Sequence, residues 1–207
     1  IDGIASGKVQ LAQVNPGLVP QLVAAGQPTP FAVPGNKASG KRNSYHLILI
    51  ARVDSPDKEP KDLIGKKIAH STPTSNAGNL APRALFPAIG LVPDKNYEVV
   101  FSNGHERSVT GVMHGFYPAA AVASDLYQRM VLKGDVKGSS IRTLWESAPF
   151  MTETWTLGKS ASPDVQNRVQ KCSFAYSFSP KLKLLLPGND TMLLVYLDPS
   201  FAKVMEV

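Results

Sequence analysis

Apolar stretches of strand length alternate with helix-patterned stretches along most of the chain, and this alternation limits the fold more than any other feature. The most apolar stretch, YHLILIAR (Tyr45–Arg52), shows no polar alternation and reads as a strand buried on both faces. VQLAQV, PFAVP, KKIAHS, YEVVFS, AAAVAS, IRTLWES and ETWTLG read as further strands. Between them lie helical patterns. IDGIASGK ends at Gly7, and LVPQLVAAG is closed by Gly26. HERSVTGVMHGF puts Val109, Val112, Met113 and Phe116 on one face. DLYQRMVLKG ends at Gly134, and SPDVQNRVQKCSFAY begins with Ser162 as N-cap and Pro163 in the first turn, with Val165, Val169 and Cys172 on one side. Strands and helices in this order predict an α/β fold with mostly parallel sheets flanked by helices.

Two polar connectors, near residues 53–62 and 147–153, divide the pattern. They predict one lobe from residues 1–56 and 150–207 and a second from 57–149, the chain leaving the first lobe and returning to it. Composition narrows the function classes. In 207 residues, 43% apolar and 18% charged, no run approaches the roughly 18 apolar residues a membrane helix needs. The single cysteine, Cys172, excludes an intramolecular disulfide and a Cys-based zinc cluster, and reads as a small core residue. The net charge of +6 comes from scattered residues such as Lys37, Lys41, Arg42, Lys66 and Lys67, which predicts a solvated surface and no nucleic-acid partner. The chain opens on Ile1 with no initiator Met and no visible signal peptide, and reads as a processed or truncated piece.

The polar loops fall at the carboxyl ends of strands, where α/β folds bind ligands. STPTSNAGNL (Ser71–Leu80) empties a strand into a helix through hydroxyl and amide side chains. The first amides of a helix have no intrahelical partner and, with the helix dipole, favour an anion. Ser75 and Asn76 can add side-chain donors, Gly78 keeps the turn uncrowded, His105 opens the next helix after SNG, and Ser124 offers a third hydroxyl. Neutral donors of this kind suit a small tetrahedral oxyanion. Taken alone, Ser, Thr and Asn before a helix are ordinary N-caps, and His105 an ordinary capping or surface histidine. Pro82 sets the helix start later or kinks it. No nucleophile elbow, phosphate loop or dinucleotide fingerprint is present, and His46, His70, His105 and His114 have no metal spacing with carboxylates. No metal, cofactor or catalytic residue is expected.

DLIGKKIAHSTPTSNAGNLAPRAL, then VVFSNGHERSVTGVMHG, then AAAVASDL, together resemble the phosphonate, phosphite and phosphate solute-binding proteins of ABC transporters. Asp62, Leu63, Gly65, Lys66 and Lys67 match the first family run, Pro73, Ser75 and Gly78 the second, and Phe101, Ser102 and His105 the third. The resemblance implies a two-lobed type II periplasmic-binding fold with the ligand cleft between the lobes. It implies that Ser75, Asn76 and the backbone near Ala77 hold the oxyanion with His105 opposite, and that Tyr45 adds a hydroxyl from the first lobe. Asp125 and Glu153 fall near positions where some members hold an amine, and Trp155 matches an aromatic of the return hinge. The departures are Asn76 and Ala77 in place of two hydroxyls, Ala123 for an acid or amide, Val19 for a tyrosine and Pro118 for an aspartate. The family's first strand and helix have no counterpart before Ile1.

The function implied is capture of a small phosphorus oxyanion or phosphonate, by a monomer in the periplasm or anchored outside the membrane, for delivery to an ABC permease. A regulator's ligand-sensing domain and a pyrimidine-synthase-like enzyme share the architecture and stand as alternatives, with an interaction module behind them.

Overall fold

The computed structural model of the chain describes residues 2–24 and 30–194. Gly26, expected to close a helix, lies outside them. The strands, in chain order, are β1 (Leu11–Val14), β2 (Pro30–Gly35), β3 (Ser44–Tyr45), β4 (Leu47–Arg52), β5 (Lys67–His70), β6 (Glu98–Phe101), β7 (Ala119–Ala123), β8 (Ile141–Glu146), β9 (Phe150–Met151), β10 (Thr154–Leu157) and β11 (Thr191–Leu194). The α-helices are α1 (Asp2–Ala5), α2 (Val19–Ala24), α3 (Ala81–Leu85), α4 (His105–Met113), α5 (Ser124–Lys133), α6 (Pro163–Ala175) and α7 (Pro180–Leu185).

Two compact units emerge. One takes the residues up to Ser44 and those from Met151 onward; the other is Tyr45–Phe150. The boundary expected at residue 56 is therefore wrong by about one strand. β4 hydrogen-bonds on one side to β7 and on the other to β8, which ties it into the middle of the second unit's sheet. The Pro-rich connector after it belongs to the same unit. Its charges are spent locally: Arg52 pairs with Asp54, Lys66 with the buried Asp57, and Glu59 with Asp62 forms a capping box over the turn Pro60–Leu63.

The Tyr45–Phe150 unit carries a five-stranded sheet in the order β6-β5-β7-β4-β8. β5 runs parallel to β6 and to β7, while β4 runs against both of its neighbours. β4 and β7 lie at its centre, and the buried residues alternate with the period of two that a strand imposes. Leu47, Leu49, Ala119, Ala121 and Ala123 face one core with Leu63, Ile68, Phe86 and Leu91. Ile48, Ile50, Ala120 and Val122 face another, with Val109 and Val112 of α4 and Met130 of α5. Phe116, expected on the apolar face of α4, is 74% exposed. The helix stops at Met113 and the left-handed Gly115 (φ +75°) turns the chain before Phe116.

The other unit holds a four-stranded sheet in the order β1-β10-β2-β11, and each of its pairs is antiparallel. The mostly parallel pairing read from the alternation therefore fails here. Neighbouring strands in this sheet come from two separate passes of the chain, so no short crossover helix sets them parallel. Phe31, Ala32, Leu157 and Ala161 form its core, with Trp155, Val165 and Val169 packed against it. Cys172, read as a core residue, is exposed, because α6 rests on the sheet without a fully buried side chain of its own.

Candidate functional site

Three loops follow the parallel strands β5, β6 and β7, and parallel strands deliver their carboxyl ends to one edge of a sheet. The loop after β5 leads into a wide helical turn, Asn76–Leu80, before α3. Ser75 is its N-cap. The Ser75 carbonyl accepts from the N–H groups of Asn79 and Leu80, both at 3.0 Å, and Ala81 N–H reaches back five residues to the Asn76 carbonyl. This is π-type winding, which recurs at functional sites. It also settles Pro82, which falls in the first turn of α3, where its missing N–H costs nothing.

Ser75 Oγ accepts from Gly78 N–H at 3.1 Å and meets His105 Nε2 at 3.0 Å. The backbone N–H of Ala123 points at His105 Nδ1, 3.3 Å away. A backbone N–H only donates, so Nδ1 is the acceptor, and a neutral ring then carries its proton on Nε2. Burial holds the ring neutral, lowering its pKa to about 4; the nearby Asp125 opposes this and Arg129 reinforces it. His105 Nε2–H therefore donates to Ser75 Oγ. With two donors on its lone pairs, the Ser75 hydroxyl has one role left, to donate its own proton. Ahead of these bonds, the amides of Asn76 and Ala77 stand in the first turn, where no intrahelical acceptor exists.

Several of the expected residues take other places. Tyr45 lies in the same unit as Ser75 and not in the other lobe, since the chain crosses at Ser44. Its hydroxyl accepts from Asn76 Nδ2 at 2.8 Å, so the Asn76 side chain, itself buried, braces the turn against β3. Ser124 Oγ accepts from His46 N–H at 2.9 Å, and Ser124 N–H donates to the His46 carbonyl at 2.9 Å, prolonging the β4–β7 ladder. Asp125 pairs with Arg129 one helical turn on, at 2.9 Å. Glu153 is exposed ahead of β10, in the other unit. Trp155 packs partly buried against that unit's core, as a core tryptophan does. Ala123, a departure from the family pattern, contributes through its backbone alone.

Sequence reasoning missed the buried side chains beneath the loop. His70, Asn79 and Tyr97 form one buried hydrogen-bonded set, which the exposed Arg83 joins from the surface. Asn79 and Arg83 stand at i, i+4, a signal readable on any helix; Tyr97 is 27 residues from His70, and no local pattern joins them. Among the described residues, no three His, Cys, Asp or Glu side chains come together as a metal-ligating group, and no helix is long and apolar enough to cross a membrane.

A family model for the periplasmic substrate-binding protein of phosphonate ABC transporters matches residues 1–195. The phosphate-import protein PhnD of Mycolicibacterium smegmatis is 26% identical over 191 residues, which are 87% of this chain and 59% of that protein. The chain thus spans under two thirds of that relative's length. Among solved structures, a binding-protein component of a Pseudomonas aeruginosa phosphonate ABC transporter superposes with a TM-score of 0.82 at 18% identity, covering 99% of this chain and 69% of that one. PhnD1 from Prochlorococcus marinus, solved with methylphosphonate, gives 0.77 at 12% identity over 99% and 79%. The aliphatic sulphonate binding protein SsuA of Escherichia coli gives 0.65 at 16% identity over 99% and 70%. The fold is that of the type II periplasmic binding proteins. On the family match over nearly its whole length, the chain belongs to the periplasmic substrate-binding proteins of phosphonate ABC transporters.

Proposed function

We propose that this chain captures a small phosphorus oxyanion or phosphonate outside the cytoplasm and hands it to the membrane permease of an ABC transporter. The observation that carries this reading is the Ser75 hydroxyl, whose acceptor sites are filled by Gly78 N–H and His105 Nε2–H, so that it presents a donor beside the amides of Asn76 and Ala77. Neutral donors held in advance bind an oxyanion through charge-assisted hydrogen bonds without needing a counter-ion. His105 acts through Ser75. The chain works by binding, without chemistry on the ligand, as a monomer and with no nucleic-acid partner: cations such as Arg83, Arg129 and Lys66 are engaged by carboxylates.

Asp125 already balances Arg129, so an ammonium gains little from it. An alkylphosphonate or inorganic anion without an amine is the favoured ligand.

Isothermal titration with phosphate, phosphite, methylphosphonate and 2-aminoethylphosphonate tests the reading. One ligand lacking an amine should bind tightest, and Ser75→Ala should weaken it roughly ten- to hundred-fold, as loss of a hydrogen bond to a charged group does. Tighter binding of 2-aminoethylphosphonate would return Asp125 and Glu153 to the role of ammonium partners. Absence of heat with all four anions would refute the reading.

A further inference from the structure

Asn79 is 5% exposed and sits four residues after Ser75. Its Oδ1 lies 3.0 Å from Arg83 Nε and 2.9 Å from His70 Nδ1, and its Nδ2 lies 2.8 Å from the Pro73 carbonyl. Arginine offers only donors and the Pro73 carbonyl only accepts, so the orientation of the amide is fixed from both sides. His70 must then donate from Nδ1, which leaves Nε2 to accept from the Tyr97 hydroxyl at 3.1 Å. The His70 ring is fully buried, and burial lowers its pKa to about 4, which keeps it neutral and able to play both parts. The donors run in one direction: Tyr97 O–H to His70, His70 Nδ1–H to Asn79, Asn79 Nδ2–H to Pro73. Arg83 enters the same oxygen from the surface, where it pairs with Asp94 at 2.9 Å.

The order ends on the loop that presents Ser75. Asn79 grips that loop at two places, with its side chain on the Pro73 carbonyl and with its backbone N–H on the Ser75 carbonyl at 3.0 Å. Ser75 N–H in turn closes on the Thr72 carbonyl at 3.1 Å. Few rotations remain to the segment between those anchors. An asparagine in this place does what aspartate cannot, because a carboxylate has no donor for Pro73.

We propose that Asn79, oriented by His70 and Arg83, is a positioning residue that sets the Ser75 hydroxyl in its anion-binding geometry while never touching the anion. The proposal rests on the reading of Ser75 as an anion donor. A residue that merely stabilises the fold shifts the melting temperature and leaves affinity alone. A positioning residue changes affinity and the local geometry at Ser75 in the folded protein.

The test uses the full chain as wild type, Asn79→Asp and Tyr97→Phe, with two readouts. The first, without ligand, is nitrogen-15 NMR of the His105 ring and the Gly78 amide, the two donors on Ser75 Oγ. The second is titration with methylphosphonate and with inorganic phosphate. Asn79→Asp should shift both NMR signals and weaken binding roughly ten-fold, the lower range for loss of an outer-shell partner. Tyr97→Phe, which removes only the first donor, the one farthest from the loop, should act in the same direction and less. If Asn79→Asp does not fold, Tyr97→Phe carries the test by the same readouts. Unchanged His105 and Gly78 signals with unchanged affinity would overturn the proposal. Should the wild type bind neither anion, the anion reading falls, and the NMR readout alone decides whether Asn79 sets the geometry at Ser75.

Discussion

A Cβ placed on Gly78 would meet the Ser71 hydroxyl at 1.7 Å and Ser75 Oγ at 2.8 Å. The glycine is needed here for close approach, not for a left-handed backbone. Gly78→Ala should therefore destabilise the chain by about 1–3 kcal/mol, as overpacking does, and should disturb the Ser75 cap as well; urea unfolding reads the first effect and anion titration the second. Ser71 offers the opposite case. Its hydroxyl is buried and has no hydrogen-bond partner among the described residues. Ser71→Ala removes a polar atom that gains nothing from burial, so stability should stay level or rise. At this scale the sequence was legible where chemistry is local. Ser75 as N-cap and His105 at a helix start both follow from neighbouring residues. The bond between their side chains spans 30 positions, and only the parallel placement of β5, β6 and β7 makes it.

Among the elements, β7 shows most plainly how composition sets distance. Four of its five residues are alanine, and all five are buried between the two cores of the Tyr45–Phe150 unit. Small side chains let α4 and the Asn76–Leu80 turn approach the sheet from opposite faces, and that approach brings His105 to the Ala123 amide and Ser75 to His105. Ala121→Leu should cost about 1–3 kcal/mol or more in chemical denaturation, since leucine has no space beside Leu49 and Ala77. Strand identity was legible from apolar runs, as in Tyr45–Arg52 and Ala119–Ala123. Pairing direction was not. A strand's own residues do not say whether its neighbour arrives through a helix or from a distant return of the chain, and the antiparallel sheet of the other unit is built by such returns. Phe116 failed for a nearer reason: the helical spacing continues past Met113, but Gly115 has already turned the backbone.

At the scale of the molecule, the first crossing of the chain, at Ser44, differs from the connector read from the sequence because no shift in composition marks it, while the return at Met151 lies one residue from the expected position. The connector after Arg52 has the prolines and charges of a boundary and uses them for caps and ion pairs inside one unit. The Tyr45–Phe150 unit has its own two cores, and its first and last residues lie together, with the rings of Tyr45 and Phe150 5.9 Å apart. Expressed alone, residues 45–150 should melt cooperatively and give a dispersed amide spectrum. A second consequence is acid sensitivity. His70 and His105 each titrate near 4 in the folded chain, below the usual value of about 6.5 in the unfolded chain. Between those values the unfolded chain binds more protons, so stability falls as pH drops from about 6.5 to about 4, by at most about 1.4 kcal/mol per pH unit for each ring. Thermal melts across this window should show the slope, and His105→Gln should remove one ring's share of it.

Amide NMR during a methylphosphonate titration of the intact chain reads directly whether the Ser75 turn receives an anion. The expected result is a saturable, one-to-one shift of the Asn76, Ala77 and Gly78 amides, with the His105 ring signal moving in step and the whole response lost in Ser75→Ala. Saturable binding that shifts amides elsewhere and leaves these three still, or that survives unchanged in Ser75→Ala, would contradict it.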